Sequence, residues 1–296
     1  MDYTITPVDI RNQLLLPRVN RLLSDTFGYN VPSDKLEKST KTNSPKESLY
    51  LAAIHGDEII GFNAFISHDL IFNGSKINAY QSCWTATSNA HRGKKIFQNL
   101  INTAKETLRS RDAAFIFGFP NANSQPLFTK KLGFREIQSL KWQVPNISFV
   151  RDLYIKIPGG DVSVFEKNSI LQNDRQLIEI KTREYQDDLI VAELNKSLIW
   201  GVGRSTKKLG VNLRYFEIGG IYLADPADVK SLFQSLCIKV KKTHYFQLTA
   251  SAAGPYLEIF NNLKPAQTND LIVFDLCFDT AHDVRFNLFG GVKDVF

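Results

Sequence analysis

The chain has 296 residues, 43% hydrophobic and 22% charged, with a formal net charge of +6. That is globular material of about two domains' length, and no apolar run approaches the ~18 to 20 residues of a membrane span. No long Lys/Arg block occurs, so the basic excess fits a local cluster for a phosphorylated small ligand better than a nucleic-acid face. Cys83, Cys237 and Cys277 are far apart and lie in apolar runs, which points to free thiols and a reducing compartment. No Cys/His cluster has metal-ligand spacing, so no metal is expected. The first ten residues lack a charged segment leading into an apolar core, and the expectation is a cytoplasmic protein with neither membrane nor nucleic acid as partner.

Residues 2–6 read as a first strand and 7–27 as a helix with Ile10, Leu14, Leu15, Val19, Leu22 and Leu23 as its apolar set. Residues 29–47 are polar, with Pro32 and Pro45, and form a loop that is either a substrate lid or a plain insertion. Paired strands are expected at 48–54 and 58–72, followed by a hairpin at Asn73-Gly74 and a return strand over 77–87.

The stretch from Tyr80 to Phe134 carries the most information. Its first strand runs into the polar turn Ser88-Asn89-Ala90-His91 and then into Arg92-Gly93-Lys94-Lys95. A helix follows, with Ile96, Phe97, Leu100, Ile101, Ala104 and Leu108 on one face. A second strand over 113–119 ends at Pro120, and a short helix opened by Asn121-Ala122-Asn123-Ser124 stops at Gly133. A last strand is expected over 135–144. A strand that feeds a basic turn into a helix N-terminus leaves unpaired amides and partial positive charge there, which suits a pyrophosphate. The alternative is a solvated basic turn capping an ordinary helix. With Gly93 as its only glycine, the turn is neither a P-loop nor a GxGxxG fingerprint.

In the second half, 145–158 reads as a connection and Gly159-Gly160-Asp161 as a turn. A strand is expected at 177–180, a helix at 185–200 and a glycine-rich basic loop at 201–210. Then come a strand at 220–223, a helix at 226–242, a strand at 245–249, a helix at 254–263, and strands at 271–278 and 284–289. This order repeats the end of the first half: FIFGFPNANSQPLFTKKLGF compares with YFQLTASAAGPYLEIFNNLKP. Asp225-Pro226-Ala227-Asp228 stands where the basic turn would be, and carboxylates there cap a helix but repel phosphate.

The Tyr80 to Phe134 stretch resembles the GNAT superfamily of acyl-CoA-dependent N-acyltransferases. The family's Arg/Gln-x-x-Gly-x-Gly/Ala turn starts here at Arg92, with Lys95 and Phe97 where the two small residues are expected. Asn123, Ser124 and Lys131-Leu132-Gly133-Phe134 fit the family's Asn-started helix and its Lys-Leu-Gly-Phe ending. The resemblance implies an α/β (α+β) fold of two GNAT-like units in tandem, each a mixed, mostly antiparallel sheet flanked by helices. Residues 1–146 would bind acyl-CoA. Residues 147–296 would be a degenerate unit contributing acceptor binding, or, less well supported, an unrelated α/β substrate domain. The co-substrate implied is acetyl-CoA or another short acyl-CoA. Thr85, Ala86 and Thr87 would hold its pantetheine by backbone hydrogen bonds. Arg92, Gly93, Lys94, Lys95, Ile96 and Phe97 would form its turn, with Asn121 and Asn123 near the arm.

The family often places a Tyr general acid where this chain has Thr129, and residues 77–88 contain no Asp or Glu as a base. His68 and Asp69 are the nearest base candidates, against a structural or solvent role, and the second half could also supply the base. Arg204, Lys207 and Lys208 beside Trp200 and Phe216 suit a nucleotide diphosphate with a stacked base, against a solvated loop. The arrangement is similar to tandem-GNAT acyltransferases of bacterial surface-polysaccharide pathways. That likeness implies N-acylation of a nucleotide-linked amino sugar such as a dTDP-3-amino-3,6-dideoxyhexose. Acylation of a protein, tRNA or small amine, and a non-catalytic acyl-CoA-binding module, stay open.

Overall fold

The structure is a computed structural model. It describes residues 2–32, 36, 46–144, 168–185, 188–208, 210–225, 227–241, 245–254, 257, 260, 264–268, 271–279 and 284–288. Most of the loop expected over 29–47, the connection and turn over 145–161, and most of the helix expected over 254–263 lie outside the described residues. Two compact units are present. The first is Met1–Asp69, Ile77–Glu136 and Leu271–Thr280; the second is Leu70–Lys76, Ile137–Asp270 and Ala281–Phe296.

The first unit contains β1 (Thr4–Pro7), α1 (Leu16–Phe27), β2 (Leu49–His55), β3 (Glu58–Phe72), β4 (Ser75–Thr87), α2 (Ile96–Arg109), β5 (Phe115–Gly118), α3 (Gln125–Leu132) and β6 (Arg135–Ile137). The β3–β4 hairpin turns on Asn73 and Gly74, both at positive φ (46° and 76°), the geometry of a type I′ turn. One sheet face packs on α2: Ile96, Leu100, Ile101, Ala104 and Leu108 meet Leu51, Ala53, Ile60, Phe65, Tyr80 and Ile116. The helix comes so close at Gly61 that a Cβ there would lie 2.5 Å from Ile96. The other face packs on α1, where Val19, Leu22 and Leu23 meet Tyr50, Ala52, Phe62, Ala64, Trp84 and Ala86.

The second unit contains β7 (Ser139–Val144), β8 (Ser169–Gln172), α4 (Asp174–Tyr185), β9 (Leu189–Leu194), β10 (Ser197–Lys208), β11 (Val211–Tyr222), α5 (Asp228–Lys241), β12 (Gln247–Ala253), β13 (Gln267–Thr268) and β15 (Arg285–Asn287). Its main sheet has the order β13-β7-β12-β11-β10-β9, with β11–β12 parallel. Val229, Leu232, Phe233, Leu236 and Val240 of α5 pack with Ile199, Phe216, Ile218, Leu248 and Ala250.

Three expectations are corrected here. Residues 177–180 are helical, within α4, which ends at Tyr185, and 189–200 are not a helix but the hairpin of β9 with the start of β10. The basic stretch 201–208 is strand, the remainder of β10. The missed signal is the β9–β10 turn, where Asn195 and Lys196 both take positive φ (49° and 72°) without a glycine to announce it.

The first sheet runs β1-β2-β3-β4-β5-β14-β6, where β14 is Leu271–Asp275 from far down the chain. It is antiparallel except for the parallel β4–β5 pair among the registers β1–β2, β2–β3, β4–β5 and β5–β14. β14 lies beside β5, and β7 holds the same place beside β12. The strand that follows the first unit in sequence thus completes the second sheet, and a strand from the C-terminal end completes the first. The compact units are therefore not the sequential halves 1–146 and 147–296.

Candidate functional site

β4 and β5 pair in parallel only over Tyr80↔Ile116, Gln81↔Phe117 and Ser82↔Gly118. Beyond that point β5 passes into Phe119-Pro120, and β4 bulges. Trp84 takes φ 49°, and the successive residues Cys83 and Trp84 both pack into the α1-side core, which breaks the two-residue alternation of a strand. The splay leaves Thr85, Ala86 and Thr87 past the end of the β5 pairing, with backbone groups on that side for an extended ligand. Sequence reasoning missed the residue that braces this bulge. Asn63, on β3 and fully buried, donates through Nδ2 to Cys83 O (3.0 Å) and Thr85 Oγ1 (2.5 Å) and accepts at Oδ1 from Ser82 Oγ (3.2 Å).

β4 ends in a turn that enters α2. Asn89–His91 form one 3₁₀ turn, Arg92 is extended, and Gly93 has φ 80°. Lys95 is the N-cap residue at φ 60°, ψ 14°, and no carboxylate lies in the first turn of α2. Asn99 N–H bonds Lys95 O across the first turn of the helix (3.0 Å), and the amides before it have no acceptor inside the helix. Arg92, Gly93, Lys94 and Lys95 are exposed. Ile96 is buried in the core, and Phe97 packs edge-on against Phe128 at 5.1 Å. The helix dipole, the open amides and three exposed cations belong to this one turn, and that donor set fits a diphosphate. Replacing Arg92 and Lys94 by Glu is expected to weaken acyl-CoA binding more than ten-fold by calorimetry, about 1.4 kcal/mol or more. Unchanged affinity would move the site elsewhere.

Lys95 holds the left-handed conformation that the resembled motif gives to glycine. For an L-residue this costs roughly 1–2 kcal/mol. Lys95→Gly is therefore expected to raise stability by about 1 kcal/mol in denaturant unfolding, and a loss of stability would contradict the assigned geometry.

Past β5, Asn121 Oδ1 accepts from Asn123 N–H (3.1 Å), Ser124 N–H (3.0 Å) and Ser124 Oγ (3.1 Å). Asn121 is thus the cap of the turn entering α3, while the Asn123 side chain is exposed and carries no hydrogen bond among the described residues. Thr129 Oγ1 donates to Gln125 O (3.2 Å), so its proton is spent within the helix.

His68 and Asp69 are successive residues of β3. Neighbours on a strand point to opposite faces, and His68 packs edge-on to Phe117 at 5.5 Å. His68 is level with Asn78, whose amide reaches His68 O at 3.4 Å, and its ring rests on Phe117, the partner of Gln81 one residue before the splay at Ser82.

The second unit repeats the wedge and fills it. β11 and β12 pair from Tyr215↔Gln247 to Ile218↔Ala250. The β10–β11 register then slips, leaving Gly219 as the extra residue. Gln172 Nε2 donates to Gly219 O (3.0 Å). The Trp200 indole lies over Gly219, where a Cβ would sit 2.3 Å from the ring, and donates to Asp174 Oδ1 (2.6 Å). Asp174 also accepts from Gln172 (2.5 Å), and burial pushes its carboxyl up to about 6. At the entry to α5, Asp225 accepts from Ala227 N–H (2.8 Å), and Asp228 from Ser197 Oγ (2.7 Å) and Asn195 Nδ2 (3.2 Å). Carboxylates thus occupy the place that cations hold before α2. Titration is expected to give one CoA per chain; two would overturn this assignment.

The proposed acceptor residues are placed as follows. Trp200 and Phe216 are core residues with 0% exposure and cannot stack on a base. Arg204 pairs with Glu217 at 3.5 Å and lies over the Tyr185 ring at 5.2 Å. Lys207 and Lys208 stand in β10 opposite Asn212 and Val211, and their side chains lie outside the described residues.

Residues 13–137 match the family model described as an acetyltransferase (GNAT) domain. A GCN5-related N-acetyltransferase from Kribbella flavida aligns with TM-score 0.67 and 10% identity, over 93% of this chain and 71% of that one. Another, from Anabaena variabilis, gives TM-score 0.61 and 11% identity, over 93% and 73%. A region described as a GCN5-related glucosamine N-acetyltransferase, in a fungal multi-domain beta-N-acetylglucosaminidase, gives TM-score 0.57 and 16% identity, over 92% and 38%. No curated protein matches the sequence. Residues 13–137 thus match a GNAT acetyltransferase domain, and the fold likeness extends over two GNAT-like units in tandem. The class it defines is an N-acyltransferase with acyl-CoA as co-substrate. No helix among the described residues is long and apolar enough to cross a membrane.

Proposed function

We propose that this protein moves a short acyl group from acyl-CoA to the amine of a nucleotide-linked amino sugar, such as a dTDP-3-amino-3,6-dideoxyhexose, in the cytoplasm and for surface-polysaccharide synthesis. The observation that carries the acyl-transfer part is the splayed β4–β5 wedge ending on the basic turn Arg92 to Phe97. Thr85, Ala86 and Thr87 hold the extended arm, and Arg92, Lys94, Lys95 and the α2 amides hold the diphosphate. The acceptor part rests on the missing strand-four carboxylate. A sugar amine is less basic than a lysine amine and has a larger neutral fraction near pH 7, so a weak base or a water chain suffices. The glucosamine acetyltransferase region among the structural neighbours favours the same acceptor class. With the second wedge filled, residues 147–270 serve the acceptor. Because Arg204 is held by Glu217, Lys207 and Lys208 are the cations assigned to its diphosphate.

The test is thiol release from acetyl-CoA with a dTDP-linked amino sugar, the free amino sugar and a lysine peptide. A kcat/KM at least ten-fold higher for the nucleotide-linked sugar supports the reading. Equal rates with the free sugar remove the nucleotide, and preference for the peptide removes the sugar. Binding of acetyl-CoA without thiol release for any amine would leave a non-catalytic acyl-CoA-binding module, which the internally bonded Thr129 hydroxyl permits.

A further inference from the structure

We propose that Asn63 is a positioning residue of the acyl-CoA site, and that it sets the Thr85 hydroxyl to donate to a carbonyl oxygen on the acyl-pantetheine arm. The proposal rests on reading the β4–β5 wedge as that site.

Asn63 has no exposed surface, and a buried amide is costly unless its hydrogen-bonding groups are used. Here they are used on one structure, the β4 bulge. Its NH₂ donates to Cys83 O within the bulge and to Thr85 Oγ1 after it. Its carbonyl accepts from Ser82 Oγ at 3.2 Å. One side chain from β3 therefore spans the residues where β4 leaves β5. Trp84 between them sits at φ 49°, which an aromatic L-residue holds only when its surroundings impose it. A hydrophobic residue at 63 would fill the space and leave the bulge unbraced.

The second consequence concerns protons. A hydroxyl has one hydrogen to give and two lone pairs to receive with. Thr85 Oγ1 receives from Asn63, and its own hydrogen meets no acceptor among the described residues. Thr85 is half-buried and stands just past Ser82↔Gly118, the last β4–β5 pair. A donor left over beside an open strand edge calls for an acceptor from a ligand, and the thioester and amide carbonyls of an acyl-pantetheine are such acceptors. Accepting from an amide also polarises the O–H, which strengthens the bond it gives.

The experiment compares two ligands on N63A, T85V and T85S. Acetyl-CoA reports on the arm and the turn together; adenosine 3′,5′-bisphosphate has no pantetheine and reports on the nucleotide end and on folding. N63A and T85V are each expected to weaken acetyl-CoA binding at least ten-fold and to leave adenosine bisphosphate within two-fold. T85S should restore acetyl-CoA to within about three-fold of wild type, since it keeps the hydroxyl. The double variant N63A/T85V should be no more than two-fold worse than N63A, because both act on one hydrogen bond. Equal losses for both ligands in N63A would reduce Asn63 to a structural residue. If N63A does not fold, T85V against T85S decides: acetyl-CoA affinity unchanged in T85V overturns the proposal. Failure of the wedge reading itself looks different, since T85V would then be silent and the Arg92 and Lys94 variants would leave adenosine bisphosphate bound.

Discussion

A chain ending at residue 146 is expected not to fold, and to bind no acyl-CoA. It contains the whole matched domain, residues 13–137, but lacks β14. In the intact protein Leu271 and Ile272 are fully buried and Val273 is 2% exposed. Burying each such side chain contributes roughly 1.5–3 kcal/mol, and their sum is comparable with the ~5–15 kcal/mol of a whole domain. Further ties are lost with them. Lys105 lies 3.7 Å over the Phe274 ring while bonding Leu132 O, and Phe134 packs on the same ring at 5.3 Å. Truncation would also leave β5 as an open edge. The strand left in the fragment, β7, cannot take the vacant place. β14 lies between β5 and β6, and only Gln138 separates β6 from β7, too short for a hairpin. Co-expression with residues 147–296 should restore a soluble complex that binds acyl-CoA. A lone 1–146 fragment with cooperative unfolding near the full-length Tm would overturn this account.

Asp174 should make the second unit pay a pH-dependent penalty of about 3 kcal/mol. Burial raises its carboxyl from the ordinary 3.8 of an aspartate to about 6, against the opposing hydrogen bonds of Trp200 and Gln172. The sign follows from proton counting. Below about pH 4 both the folded and the unfolded chain hold the proton, and no penalty exists. Between about pH 4 and 6 only the folded chain holds it, so stability falls as pH rises. Above about pH 6 the full penalty remains. Asp174→Asn keeps an acceptor for the Trp200 indole and has nothing to titrate. The difference in unfolding free energy between variant and wild type should therefore shift by about 3 kcal/mol in favour of the variant between pH 3.5 and 7. Taking the difference removes other carboxylates, whose effect runs the opposite way. A flat difference would show that Asp174 is solvated. One unfolding transition is assumed, and the shared strands support that assumption.

What the sequence disclosed was the local part of this architecture. The Asn73-Gly74 hairpin, the apolar face of α2 from Ile96 to Leu108 and the basic entry to that helix all depend on neighbours within a few residues, and each was readable. Lys95 could be placed in the glycine position but not assigned a conformation, because only the backbone shows that it adopts φ 60°. Asn63 gave no signal at all. An isolated Asn in an apolar strand becomes a brace only through partners 19 to 22 residues away. Trp200 misled for the opposite reason. Its place beside basic residues suggested a binding platform, whereas strand alternation turns it inward onto Asp174. The exchange of β7 and β14 was invisible because pairings across such sequence separations have no local pattern.

That exchange also governs synthesis. The chain leaves the ribosome from its N-terminus, and β14 emerges about 130 residues after position 146. At ~5–20 residues per second, translation takes on the order of 10 s to supply it. Throughout that interval the nascent chain displays Phe115–Gly118 as an uncovered parallel edge, fully buried in the finished protein. β7 waits a shorter time, about 100 residues of further synthesis, for β12. A host that makes this protein has to shelter two unfinished sheets on every translating ribosome, and faster elongation, not slower, shortens the exposure.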